Sequence, residues 1–422
     1  MDGHNSEKKQ LIKQGRYQQL LALFIVLTTF CVSLFAIRFV DAESNGKQIG
    51  LSQKSITLAV GDSQKLVVSN LPDNAKITWK SSKESVASID KNGMVKAQKK
   101  GKATVKCRIT YGSKKNKMKT LKCKITVSGK KKNKESVVYM TEDISPEGLV
   151  AVYEKLNWKA KGKTAVKVST GEPPASNYLD PNLIKDLVQS VDGTIVECNT
   201  AYGGDRSSTA LHRQVAKDHG FTKIAKVDIM DSAGSMALPV KNGTHLDKNY
   251  VGKNFKKYDS FLVLSHFKGH MMAGFGGAIK NISIGIASSK GKSYIHSGGT
   301  STSGFDGEQD DFLESMAEAG KAVSDSLGNG KNIVYVNVMN NLSIDCDCDG
   351  NPAKPKMKDI GILASTDPVA LDQACVDLVY KQKKGDGASL VERIESRNGL
   401  LTLEYAEKIG LGSRNYSLVN VK

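Results

Sequence analysis

From Val137 onward the chain alternates short apolar β-type runs with helical ones, and this alternation limits the possible folds more than any other feature of the sequence. VVYM, TAVKVS, TIVECNTAY, KVDIM, SFLVLSHF, IVYVNVMN and GILAS are strand candidates. Between them, PEGLVAVYEKLN, DPNLIKDLVQSV, STALHRQVAKDHGF, the stretch after Gly277, DDFLESMAEAGKAVSDSL and DPVALDQACVDLVYK have helical spacing, and SLVERIES and LEYAEKIG read as closing helices. Asp180-Pro181 and Asp367-Pro368 are cap-plus-proline helix starts. Such a pattern predicts an α/β domain over 137–422 with a mostly parallel sheet covered by helices. In an open sheet of that kind ligands bind beyond the carboxyl ends of the strands. Attention therefore falls on SFLVLSHFKGHMMAGFGGAIKNISIGI, where His266, Lys268, His270, Gly274, Gly276, Gly277, Lys280 and Asn281 follow an apolar run.

The chain is different before residue 137. Residues 50–128 break into runs such as SITLAV, QKLVVS, KITWKSS, MVKAQ, ATVKCRIT and LKCKITVS, separated by Gly61-Asp62, Asp73-Asn74 and Asn92-Gly93. Strands at this spacing predict an all-β sandwich. The charge is partitioned in the same way. The chain carries +18 overall, of which +2 falls on residues 1–42, +17 on 43–135 and −1 on the remainder. A field of that size favours anionic surfaces, either phospholipid headgroups or wall polymer. Residues 129–136, GKKKNKES, read as a basic linker.

The N-terminus gives the expected address. Lys8, Lys9, Lys13 and Arg16 precede the uncharged run LLALFIVLTTFCVSLFAI from Leu20 to Ile37. At about 1.5 Å per residue this is close to the ~30 Å of a hydrocarbon core. The positive-inside rule leaves 1–19 as a cytoplasmic tail, 20–40 as an N-terminal transmembrane helix, and everything after about Asp41 outside. A cleaved signal peptide is the competing reading, since Val40-Asp41-Ala42 offers small or branched residues, although the apolar run is long for a signal core. Either way the bulk is extracytoplasmic, which argues against a nucleic-acid partner despite the charge.

In the sandwich segment Ser55-Ile56-Thr57-Leu58, Trp79, Ser81-Ser82, Val86-Ala87-Ser88-Ile89-Asp90, Gly93-Met94-Val95-Lys96-Ala97 and Gly101-Lys102-Ala103-Thr104-Val105 occur in an order that resembles the bacterial immunoglobulin-like domain of group 2. The resemblance implies a spacer or adhesive module, not a catalyst. Alternation places Cys107 and Cys123 on the inner faces of two strands, compatible with a disulfide or with two buried thiols.

The later segment resembles the family called domain of unknown function 362. The resembling residues are Glu197, Tyr202-Gly203-Gly204, Arg206, His212 and His219-Gly220-Phe221, then His266-Phe267-Lys268-Gly269-His270, Gly274 through Asn281, Gly291-Lys292 with His296, Cys346-Asp347-Cys348, and Asp359 through Asp372. Many members carry a ferredoxin-like cysteine run after the block holding Gly291, Lys292 and His296. Here that region reads SGGTSTSGFDGEQDDF, without cysteine, so no iron-sulfur cluster is expected. The family itself implies no activity.

Three candidate sites remain. His266, His270, Cys346 and Cys348 supply two imidazoles and two thiols, a set that suits zinc or iron if the segments meet; otherwise the histidines bond loop backbone and the cysteines are ordinary small residues. Gly274, Gly276 and Gly277 with Lys280 suit an anion at a strand-to-helix turn, or else close packing of helix on strand. Glu197, Arg206 and Lys280 are candidate catalytic groups. Asp345, Asp347 and Asp349 with Gly350 mimic the start of a calcium loop, but Lys356 replaces the closing acid and Pro352 and Pro355 interrupt it. The expectation is a membrane-anchored surface protein whose α/β domain is a metal-dependent enzyme or a metal-binding domain. Its rival is a non-catalytic binder that grips anionic wall polymer through the basic sandwich.

Overall fold

In the computed structural model the described residues are 48–112, 117–129 and 135–422, and they fall into two compact units divided near residue 131. The expected anchor at 20–40 and most of the linker lie outside the described residues. Among the described residues no helix is long and apolar enough to cross a membrane.

The first unit is β-rich and immunoglobulin-like. One sheet has four strands, in the order Ser55–Ala59, Lys117–Ser128, Gly101–Tyr111 and Lys76–Ser81; the other has three, Ser63–Lys65, Met94–Ala97 and Ala87–Ile89. Period-two alternation sends Val105, Cys107 and Ile109 of one long strand and Cys123, Ile125 and Val127 of the next into the core, while Lys102, Lys106, Arg108, Lys122 and Lys124 face away from it. Cys107 and Cys123 are both free thiols, offset in register: Cys107 faces Leu121 and Val105 faces Cys123. Burial pushes the Cys107 thiol up to about 11.

The second unit is an α/β domain built on an eight-stranded sheet. In chain order its strands are β1 (Ser136–Thr141), β2 (Thr164–Lys167), β3 (Gly193–Glu197), β4 (Val227–Ile229), β5 (Ser260–His266), β6 (Ile333–Met339), β7 (Gly361–Ser365) and β8 (Tyr416–Asn420). They lie side by side as β4-β3-β2-β5-β6-β7-β1-β8. All neighbours are parallel except that β7 runs against both β6 and β1. β5 and β6 are buried along their whole length, as expected of central strands covered on both faces, and they read as near-continuous apolar runs for that reason.

The covering helices are α1 (Pro146–Glu154), α2 (Pro181–Ser190), α3 (Thr209–Asp218), α4 (Ala278–Ser283), α5 (Ser289–His296), α6 (Gln309–Ser326), α7 (Pro368–Lys381), α8 (Ala388–Ser396) and α9 (Leu401–Ile409). The two predicted cap-plus-proline starts hold: Asp180 accepts from the Asn182 amide, and Asp367 from those of Val369 and Ala370. Among the elements that escape the sequence reading are the antiparallel strands Ser235–Pro239 and Lys248–Gly252, β8 and α5. β8 is an edge strand with no continuous apolar face, Leu418 and Val419 being exposed, and α5 buries a single large apolar side chain, Ile295, beside Gly291, Lys292, Ser293 and His296.

Candidate functional site

The strands β2, β3 and β5 end at one side of the sheet, and a cavity of about 360 Å³ opens beyond them. Its walls are the last residues of those strands, the Lys268–His270 and Gly274–Gly276 hairpin, α4, α5 and the loop carrying Cys346, Asp347 and Cys348. Five of the lining side chains are cationic, Lys167, Arg206, Lys268, Lys280 and Lys292, against two carboxylates, Glu197 and Asp347.

Both carboxylates are already saturated. Glu197, at the end of β3, accepts from Lys167 Nζ at 3.1 Å, from the Thr170 amide at 2.8 Å and from Arg206 Nη1 at 3.5 Å, with His212 Nε2 3.8 Å away. Burial alone would raise its pKa, but Lys167, His212 and Arg206 outweigh burial and hold it well below the usual carboxylate range. Arg206 is further clamped by Glu172 through Nε at 2.8 Å and donates to the Tyr202 hydroxyl at 2.9 Å. Asp347 sits between Lys268 Nζ and His266 Nδ1, each 2.7 Å away, and these two overcome burial to keep its pKa far below the ordinary value. Glu197 and Arg206, candidates for catalysis, are thus the centre of a buried ion network that fixes the ends of β2 and β3.

Lys280 is different. Its ammonium has no hydrogen-bond partner among the described residues. Burial, then the nearby charge of Lys268, lowers its pKa to about 7, against the pull of Asp347. It is the cation of the cavity that is not consumed by the protein itself.

At the glycine turn two of the amides that could meet an anion are already taken. The amides of Ala278 and Ile279 at the start of α4 donate to the two carboxylate oxygens of Asp372, at 2.8 and 2.9 Å, so an internal acid on α7 already occupies that position. Gly277 is required because a Cβ there would lie 2.4 Å from Asp372 Oδ1. Gly274 adopts φ +79° with its α-carbon against Gly399 and Ile394, away from the cavity that Gly276 and Gly277 line. Close packing accounts for Gly274 and Gly277, and among the described residues Lys280 is the cavity cation left to meet an anion.

The predicted metal set divides. His270, Cys346 and Cys348 converge: their ligand atoms all lie within 4.8 Å of one another, buried or half-buried, and this group could hold a metal ion. His266 does not join them. Its Nδ1 is taken by Asp347 and its Nε2 lies 2.6 Å from the Asn340 carbonyl oxygen, so no nitrogen is free to ligate. Two further observations qualify the convergent group. Cys346 and Cys348 are bonded to one another as a disulfide. The Nδ1 of His270 accepts from the amides of Met272 at 3.2 Å and Ala273 at 2.9 Å, which places the proton of the neutral ring on Nε2. The positions fit a metal; the sulfurs must be reduced and the ring must give up its Nε2 proton before they can bind one.

Several site residues have no sequence signal of their own. Lys167 is a lone cation inside an apolar strand and is 1 % exposed. That anomaly could have been noticed. Lys268 stands in the stretch after the central apolar run and was legible there, whereas Lys292, His296 and Asp347 lie within motifs singled out for other residues, and nothing in their spacing marks them as cavity walls.

The sequence profile described as Domain of unknown function (DUF362) matches residues 164–377, half of the chain, and the profile described as Bacterial Ig-like domain (group 2) matches residues 46–120. No curated protein matches the chain. Among solved structures, the lactate racemase apoprotein from Thermoanaerobacterium thermosaccharolyticum is similar at 15 % identity over 64 % of this chain, with a TM-score of 0.37. The chain spans 61 % of that racemase. A Thermotoga maritima structural-genomics protein is similar at 11 % identity over 55 % of this chain and 57 % of its own, with a TM-score of 0.33. An intimin mutant of EHEC O157:H7 is similar at 12 % identity over 48 % of this chain and 86 % of its own, with a TM-score of 0.15. These likenesses are distant, and none carries an argument about activity.

Proposed function

The chain belongs to the family known as domain of unknown function 362, a name that states no activity, and from that premise we propose that its α/β domain is an enzyme for a small anionic substrate. One observation carries this reading: the cavity beyond β2, β3 and β5 gathers five cations against two carboxylates, both carboxylates are satisfied internally, and Lys280 is left without a hydrogen-bond partner among the described residues. A desolvated cation in a site of that sign favours a carboxylate or phosphate group over neutral molecules. The test is calorimetric titration of the full chain, in detergent, with acetate and with inorganic phosphate. Binding that weakens by roughly tenfold in Lys280→Met supports the reading, since charge-assisted bonds are worth about 1.5–3 kcal/mol. Equal binding of acetamide and acetate would oppose it.

A second reading has its own observation, the convergence of His270 with Cys346 and Cys348. When the disulfide is reduced, these residues would hold zinc or iron and supply a Lewis acid beside the anion. Elemental analysis should then find about one metal per chain after anaerobic reduction and none in the disulfide form, with loss in His270→Ala and Cys348→Ser.

The address belongs to the same proposal. The apolar run at 20–37 holds the protein in the cell membrane with its bulk outside, and the basic sandwich, +17 over residues 43–135, lies against anionic wall polymer. The rival, a non-catalytic surface binder, predicts that wall binding survives deletion of residues 137–422 and that no small anion enters the cavity.

A further inference from the structure

Besides His266, whose nitrogens are taken, the cavity is lined by His270 and His296, and these two rings are wired in opposite senses. His296 closes α5 with its Nδ1 2.7 Å from the carbonyl oxygen of Lys292. A carbonyl can only accept, so Nδ1 carries the proton and the Nε2 of the neutral ring keeps its lone pair. Phe312 stacks on this ring with centroids 4.5 Å apart and planes 14° apart, and Phe305 lies 4.5 Å away at 50°. The ring is thus held in one orientation, with its remaining edge on the cavity. Its Nε2 has no hydrogen-bond partner among the described residues. His270 is the reverse case, since its Nδ1 accepts from two backbone amides and its Nε2 bears the proton.

We infer that His296 is the general base of this cavity, acting on a small carboxylate with an enolisable carbonyl, and that the Nε2–H of His270 donates to the carbonyl oxygen. The inference rests on the anionic-substrate reading above. In the step, the C–H bond next to the carbonyl breaks and its proton bonds to His296 Nε2, giving an imidazolium. The electron pair left behind moves onto the carbonyl oxygen, where His270 and Lys280 meet the developing charge. Return of a proton from His296 to that carbon, with the electron pair moving back from the oxygen, restores the carbonyl and the neutral ring, so the step is proton exchange at the carbon next to the carbonyl and no oxidant or reductant is consumed. The role assigned to His270 applies to the disulfide form of the loop and excludes a metal on that nitrogen.

The test compares two alkylating reagents of similar size on the full chain with its disulfide intact. Iodoacetate carries the charge the cavity selects and iodoacetamide does not; in both, an imidazole lone pair displaces iodide. Peptide mass mapping should find His296 alkylated on Nε2 by iodoacetate roughly tenfold or more faster than by iodoacetamide, because a cationic cleft raises the local concentration of anions by about 10 to 1,000-fold. Acetate should slow the reaction. An unlabelled His296 in a chain that still binds acetate would overturn the inference and leave the anion reading standing. Equal rates with the two reagents would overturn both. Nitrogen-15 shifts give an independent check, since a proton found on Nε2 rather than Nδ1 of His296 would also overturn the inference.

Discussion

The two halves of this protein handle positive charge in opposite ways. The sandwich carries a net +17 over residues 43–135, and its cations sit on alternate, outward-facing strand positions such as Lys102, Lys106 and Lys124. The α/β half is close to neutral in sum yet buries Lys167, Lys268 and Lys292 around a single cavity, at 1 %, 8 % and 7 % exposure. Net charge therefore points to the module with a polyelectrolyte surface, whereas burial points to the module with a site. A solvated lysine contributes to a diffuse field that salt screens over about 8 Å at physiological ionic strength, but a desolvated one must be paired or must meet a ligand.

The comparison can be broken most forcefully at the buried ion network. Glu197→Gln leaves Lys167 and Arg206 without their shared carboxylate and should cost about 3–5 kcal/mol, read as a drop in denaturation midpoint, because a buried charge loses its partner. Lys106→Met on the sandwich surface should stay within about 0.5 kcal/mol. Comparable losses from the two would erase the distinction between the halves.

A smaller effect is expected at the turn. Gly277→Ala drives a methyl into Asp372 and should destabilise by about 1–3 kcal/mol, with its thermal midpoint as the readout.

The pH dependence of binding sharpens the same contrast. The Lys280 pKa is lowered to about 7, so its charge is present below that pH and lost above it. Acetate affinity should therefore fall by severalfold between pH 6 and pH 8, and the fall should vanish in Lys280→Met. Binding of the sandwich to anionic polymer should hardly change over that interval, since its lysines are exposed, but should weaken steadily with added salt.

Much of the fold was legible in the sequence, and the reason is periodicity. All seven predicted strands of the α/β half lie in the central sheet, because long runs such as SFLVLSHF report burial on both faces. β8 was not legible, since an edge strand with exposed Leu418 and Val419 carries no such pattern. The site was legible only in part. Strand ends and histidines flagged the correct side of the sheet, and His270 does meet Cys346 and Cys348. Sequence could not show that His266 would be consumed by Asp347 and the Asn340 carbonyl, or that Asp372, almost a hundred residues away, would take the amides of the glycine turn. Those outcomes depend on long-range contacts, and local spacing does not encode them.

The central claim, that the cation-lined cavity is an anion site and the basic sandwich only an anionic-surface contact, is most directly tested by diffraction from crystals soaked in bromide, with anomalous scattering locating the ion. The account predicts an ordered bromide beside Lys280 in the cavity, absent in Lys280→Met crystals. Bromide found only along the sandwich lysines, with the cavity empty of it in the native chain, would contradict the claim.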